Sequence, residues 1–263
     1  MSKAPPAEFT RQDWISACEF HPLNEKEIFA EIDRRLSKHK NALVLLDLDS
    51  TLYEVGPRTY AILKEWQESS AAAAFPEVRT ALDSLKHDHI GYSIRDTFKL
   101  LGIDVESPKH VEAFDSAKSF WGKRFFSNDY LKNDRPYPGA VEFAKQVYQA
   151  GATLIYLTGR DEPNMGLGTR QNLLRDGFPW EAERTHLLLK KSPSIDDLSH
   201  KRDAADYIRR HGTLIASFEN EPKNLVALFE IFPDAMHIFV DTIFSDHAAA
   251  AGKGLYRIRG FSG

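Results

Sequence analysis

The chain of 263 residues has a single cysteine, Cys18. No intrachain disulfide can therefore form, and a thiolate metal cluster is excluded. Cys18 lies in the apolar pattern DWISACEF, which suits a packed thiol better than a reactive one. Long apolar runs are also missing: no stretch approaches the roughly 18 residues needed to span a bilayer. The opening MSKAPPAEFTRQDW lacks the apolar segment and small-residue cleavage site of a secretory leader. The chain accordingly reads as cytosolic, with no membrane partner. Basic charge is not in excess: 34 Lys and Arg stand against 38 Asp and Glu, a formal net charge of -4. There is thus no global positive field to attract nucleic acid, and none is expected as a partner. The ten histidines show no metal-ligand spacing. Internal repeats and low-complexity tracts are absent, AAAA at 71 to 74 being too short to count and reading as ordinary helix.

What is present is a globular composition, 42% hydrophobic and 27% charged, on a length that suits one core domain with a smaller insertion. Residues 1 to 23, with Pro5, Pro6 and Pro22, read as an irregular arm. NEKEIFAEIDRRLSKHK reads as an amphipathic helix capped by Asn24, acidic at its start and basic at its end. The strand 42 to 47 follows. Between about Gly56 and Pro138 apolar residues recur at three and four, as in Val111, Phe114, Ala117 and Phe120, which predicts an all-helical insertion. Beyond it strands alternate with helices: ATLIYLTGR, THLLLK, GTLIASFEN and AMHIFVDT are the strands. Five strands separated by helices imply parallel pairing in a sheet covered on both faces. The predicted fold is α/β, a Rossmann-like parallel sheet formed by 1-56 and 138-263, with 57-137 as a helical cap.

Ligands of such sheets bind beyond the carboxyl ends of the strands, so the residues delivered there are the candidates. The first strand, LVLLDLDSTLYE, runs apolar and then ends in two acids, Asp47 and Asp49. The second delivers Thr158, Gly159, Arg160 and Asp161; the third Lys190 and Lys191, with Lys201 opening the next helix; the fourth Glu219 and Asn220, then Asn224; the fifth Asp241 and Thr242. Like charges crowded at a strand end call for a cation among them. Oxygen ligands without His or Cys point to Mg²⁺, which commonly shares a phosphate with the protein. A hydroxyl, turn amides and a lysine suit the equatorial oxygens of a phosphoryl group. Arg160 could touch substrate or pair with Asp161 at the surface. Asp241 and Thr242 read as structural. His87 and His89, with Lys86, Tyr92 and Arg95, read as a solvated face rather than a substrate grip.

Four segments in order resemble the motifs of the haloacid dehalogenase-like (HAD) superfamily: DLDSTL at 47 to 52, LIYLTGR, Lys201 before a helix, and FENEPKN. The resemblance spans residues 41 to about 245, and the helical block resembles that superfamily's type-1 cap. It implies a phosphatase in which Asp47 attacks phosphorus to form an aspartyl-phosphate and Asp49 carries the proton, its main-chain carbonyl also binding the metal. It further implies that Lys201 neutralises charge, with Lys190 as its substitute, and that Thr158 holds the phosphoryl group with Gly159 and Arg160 nearby. The fourth segment departs from the usual aspartates: Glu219 and Asn220 stand there, Glu219 being favoured as ligand and Asn220 or Asn224 joining directly or through water. A small phosphorylated metabolite is the expected substrate. A phosphatase of nucleic-acid 3′ ends and a catalytically weak binding protein are the alternatives, the latter suggested by Asn220.

Overall fold

The computed structural model describes residues 11–245 and 251–262. In chain order its elements are α1 (Arg11–Ala17), β1 (Glu19–Phe20), α2 (Glu25–Leu36), β2 (Ala42–Leu46), β3 (Tyr53–Glu54), α3 (Gly56–Glu68), α4 (Pro76–Ala81), α5 (Ile94–Leu100), α6 (Val111–Phe125), α7 (Asn128–Leu131) and β4 (Arg135–Pro136). They continue with α8 (Ala140–Gln149), β5 (Thr153–Asp161), α9 (Glu162–Asp176), β6 (Thr185–Lys190), α10 (Asp197–His211), β7 (Thr213–Glu219), α11 (Pro222–Ile231), β8 (Met236–Val240) and β9 (Lys253–Ile258). Seven strands form the main sheet in the order β1-β9-β8-β7-β2-β5-β6. Every neighbouring pair in it is parallel. The chain runs outward from β2 through β5 to β6, then returns to place β7 on the other side of β2. That reversal opens a crevice at the carboxyl end of β2, where ligands of such sheets bind.

β2 is central because all five of its residues, ALVLL, are buried. Its side chains alternate between two cores, as the period of a strand requires. Val44 and Leu46 join Ile28 and Ile32 of α2 and Phe143 and Val147 of α8 on one face. Leu43 and Leu45 join Ala204 and Ile208 of α10 and Leu228 of α11 on the other. Two helical layers therefore fix the direction in which β2 ends.

The sheet has two strands more than the five expected. One is β1, inside the segment predicted to be irregular, and the other is β9. In that same segment α1 buries Trp14 against the ring of Phe239, 4.9 Å between centroids, within a small cluster that includes Phe244 and Leu255. Amphipathic packing of one aromatic residue is enough to order a helix too short to reveal its period. Pro5 and Pro6 of the predicted arm lie outside the described residues.

The helices of residues 56–131 gather their own apolar cluster, including Leu63, Trp66, Phe98, Phe114 and Ala117. The chain enters and leaves this region through a two-stranded antiparallel ladder, β3 with β4, in which Tyr53 faces Pro136 and Glu54 faces Arg135. AAAA at 71 to 74 is a run of turns and not helix, because α3 stops at Ser69, whose main chain is extended.

Candidate active site

Asp47 follows the last residue of β2 and is only 5% exposed. Its main-chain N–H still donates to the Phe218 carbonyl, 3.1 Å, so the ladder with β7 holds the backbone from which the carboxylate projects. The next turn reverses tightly. Ser50 takes φ 61, a left-handed conformation that costs a non-glycine residue about 1–2 kcal/mol. Its N–H donates to the Tyr53 carbonyl at 2.7 Å, and the Thr242 hydroxyl donates to the Ser50 carbonyl. Thr242 thus has the structural role expected of it, and Asp241 is paired with Arg257.

Lys201, in the first turns of α10, is 1% exposed and reaches under the sheet edge. Its ammonium donates to Asp47 Oδ1 at 2.7 Å and to Glu219 Oε2. Lys190, the substitute considered for it, instead pairs with Asp197 at 2.9 Å. Burial and the nearby Glu219 charge push the Asp47 carboxyl up, with Lys201 opposing them. Burial likewise pushes Glu219 up. Lys201 is held above its usual range, because Asp47 and Glu219 outweigh the opposing effect of its burial.

Asp49 sits in a different environment. Arg160 Nη2 donates to its Oδ1 at 2.6 Å and Arg58 Nη2 at 2.9 Å. The same two arginines bind Asp134: Arg58 Nε to Oδ1 at 2.8 Å, Arg160 Nη2 to Oδ2 at 2.8 Å. Burial opposes ionisation of Asp49, but the two guanidinium charges win and hold its carboxyl well below the usual range. Arg160 therefore neither pairs with Asp161 nor lies at the surface; it is 1% exposed and faces inward. Asp161 instead caps α9 by accepting from the Asn164 N–H at 2.9 Å. Thr158 is fully buried, its hydroxyl oxygen accepting from the Arg160 N–H at 3.3 Å. Gly159 lines the cavity described below, where a Cβ would come within 2.6 Å of the Asp197 carboxylate.

Glu219 ends β7 and Asn220 follows it, but they face different partners. Asn220 is tied into the loops: its Oδ1 accepts from the Thr51 hydroxyl at 3.0 Å, and its Nδ2 donates to the Ile243 carbonyl at 2.7 Å. Glu219 accepts through Oε1 from the Glu221 N–H at 3.0 Å and through Oε2 from Lys201. Glu221 was not among the sequence candidates. Ser245 holds its carboxylate through both N–H and hydroxyl, and burial pushes it up.

These groups open into one cavity of about 470 Å³. Asp47, Asp49, Lys201, Glu219 and Glu221 form its charged end, and Tyr92, Trp121, Phe125 and Phe126 from the helical region line the rest. His87 and Tyr92, read from sequence as part of a solvated face, both line it. His89, in contrast, accepts from the Lys86 N–H, and Arg95 pairs with Glu106.

Among the described residues no three His, Cys, Asp or Glu side chains converge as a ready-made metal cage. The oxygens of Asp47, Glu219 and Glu221, with the Asp49 main chain nearby, are hard donors that suit Mg²⁺, an ion that keeps several waters and needs only one or two protein carboxylates. Three buried or half-buried carboxylates against one lysine also leave negative charge for a cation to offset.

No protein-family model matches the sequence, and no curated protein is significantly similar to it. Solved structures resemble the fold. A protein described as a "Putative Phosphatase" from Clostridium difficile superposes with a TM-score of 0.53 at 13% identity, covering 83% of this chain and 94% of that one. A predicted phosphoglycolate phosphatase from Haemophilus somnus gives a TM-score of 0.52 at 15% identity, covering 84% and 94%. A HAD-superfamily hydrolase of subfamily IA from Geobacter sulfurreducens gives 0.47 at 11% identity, covering 84% and 92%. At these identities the likeness of the first two establishes the fold alone, a parallel α/β core like theirs.

Proposed function

We propose that the protein is a Mg²⁺-dependent phosphohydrolase acting on a small phosphorylated metabolite through an aspartyl-phosphate. The observation that carries this reading is the buried Asp47 at the end of the central strand, bound to Lys201 beside Glu219 and facing the shared cavity. Asp47 is the nucleophile: one carboxylate oxygen attacks phosphorus while the ester oxygen departs with the bonding pair. Lys201 holds the carboxylate and offsets the charge that gathers on the phosphoryl oxygens. The main-chain amides about Gly159, with Thr158 shaping that turn from beneath, supply further donors.

Asp49, in the protonated minority of molecules, gives that proton to the departing oxygen, and the carboxylate so formed takes one from the water that cleaves the aspartyl-phosphate. Arg58 and Arg160 fix its position and favour its ionised form, the form needed as base toward that water. Asp47, the Asp49 carbonyl and Glu219 would hold Mg²⁺, with Glu221 at hand and Asn220 positioning the loop or meeting the ion through water. When bound, the ion supplies charge neutralisation for the phosphoryl group. The helical cap limits access of solvent and of polymeric substrates to this site.

The test is phosphate release from acetyl phosphate with Mg²⁺ and with EDTA, for the native chain and for Asp47→Asn. Release that needs Mg²⁺ and falls to background in the variant is expected. Equal release from both proteins would remove Asp47 from its role, and release unaffected by EDTA would remove the metal.

A further inference from the structure

The cavity is divided chemically. Every Lys, Arg, Asp and Glu that lines it comes from the sheet ends and their loops, from the first turns of α10 or from β3, whereas residues 56–131 contribute none, among the described residues. What that region contributes is aromatic. Trp121 and Phe125 stack at 4.4 Å between centroids, and Phe126 meets Trp121 edge-on at 5.8 Å. Phe126 is 51% exposed and Tyr92 52%, although both line the cavity, so apolar ring surface stands open there. Arg58, which lies over the Phe125 ring at 4.4 Å, is spent: it binds Asp49 and Asp134.

The polar groups on this wall are largely occupied as well. Trp121 Nε1 donates to the Thr59 hydroxyl at 3.1 Å, which leaves Trp121 the ring face not stacked on Phe125 to offer. The Ser93 hydroxyl donates to Asp96 at 2.6 Å. The ring of His87 is stacked on Tyr60 at 4.4 Å, which leaves its nitrogens as the polar atoms on this wall. A sugar would find few partners for its hydroxyls here beyond the His87 nitrogens, and a second anionic group would find no Lys or Arg of residues 56–131 lining the cavity.

We infer that the substrate is a monophosphate ester whose alcohol carries an uncharged planar aromatic ring, received by the Trp121, Phe126 and Tyr92 rings. This deepens the phosphohydrolase reading and rests on it for the phosphoryl end, while the aromatic end can be measured without turnover. It also distinguishes the chain from the predicted phosphoglycolate phosphatase it resembles, whose named substrate bears a carboxylate besides its phosphate.

The experiment is calorimetric binding of three non-hydrolysable phosphonates, 2-naphthylmethylphosphonate, ethylphosphonate and phosphonoacetate, in the presence of Mg²⁺. The naphthyl compound should bind about tenfold tighter than either of the others, as one good ring contact plus its burial provides. Phe126→Ala and Trp121→Ala should each shrink that ratio to about threefold or less. Phe126 is half-exposed, so its variant keeps the test valid if Trp121→Ala fails to fold. Equal affinities, tighter binding of phosphonoacetate, or a ratio unchanged in Phe126→Ala would overturn the inference. Hydrolysis of 2-naphthylmethyl phosphate against glucose 6-phosphate, both primary alkyl esters, extends the test to turnover. If no ester is hydrolysed yet the phosphonate preference holds, the catalytic reading fails and the ring site stands.

Discussion

Asp49 and Asp134 share two arginines, and this largely buried quartet joins four parts of the chain, Asp49 coming from the turn after β2. Arg58 comes from α3, Arg160 from the end of β5, and Asp134 from the approach to β4, with Arg58, Arg160 and Asp134 side chains fully buried. Such charges are tolerable only while paired. Arg58→Met should therefore destabilise the protein by about 3 kcal/mol, since it leaves two carboxylates to one guanidinium. Combining it with Arg160→Met should cost more than the sum of the two, because Asp134 then has no cation at all. Urea unfolding of the two single variants and the double variant measures this; additivity within about 0.5 kcal/mol would show that the quartet does not act as a unit. None of this was legible in the sequence. Asp47, Asp49, Lys201 and Glu219 announce themselves by falling at strand ends, whereas Arg58 is one arginine in an amphipathic helix and Asp134 one acid in a loop. Their meeting depends on how the cap region sits on the sheet, which no local pattern encodes.

Elements were legible where local chemistry and packing agree. Asn24 caps α2 as its sequence suggests: its side chain accepts from the Glu27 N–H at 3.0 Å, and Glu27 answers by accepting from the Asn24 N–H at 2.8 Å. Asn24→Ala should cost about 1 kcal/mol in urea unfolding, and no measurable loss would mean that α2 is held by packing alone. Gly139, which opens α8, has a different constraint. Its φ is +80, and a Cβ would stand 2.7 Å from the Phe261 main-chain carbon. Gly139→Ala should thus cost well over about 1 kcal/mol, through both conformation and collision. A thermal midpoint equal to that of the native chain would contradict it. The first of these effects could be foreseen from NEKE; the second could not, because Phe261 is more than a hundred residues away in sequence. The same asymmetry explains why β1 and α1 were missed: each is short, and each exists through long-range partners, β1 through β9 and α1 through Trp14 on Phe239.

At the scale of the whole molecule, the two sheet cores and the helical character of residues 56–131 were foreseeable from periodicity, while the buried polar groups between strands were not. One of them makes global stability depend on pH. His237 on β8 is fully buried. Its Nε2 is 2.8 Å from the Phe232 carbonyl and its Nδ1 2.8 Å from the Ser217 hydroxyl on β7. Since a carbonyl only accepts, Nε2 carries the proton and Nδ1 accepts from Ser217, which satisfies a neutral ring. Burial pushes the His237 pKa down from 6.5 to about 4. The unfolded chain therefore takes up a proton as pH falls below about 6.5, whereas the folded chain resists until about 4. Stability from this residue is whole above the unfolded value, declines through the interval and levels off below the folded value. Between pH 7.5 and 5.0 the loss amounts to about 2 kcal/mol. His237→Gln, which cannot titrate, should begin less stable at pH 7.5 because its hydrogen bonds are poorer, yet lose about 2 kcal/mol less on acidification. Urea unfolding of both proteins at the two pH values isolates the effect, because every other titrating group is common to them. Parallel losses would show that His237 is not held neutral by the fold.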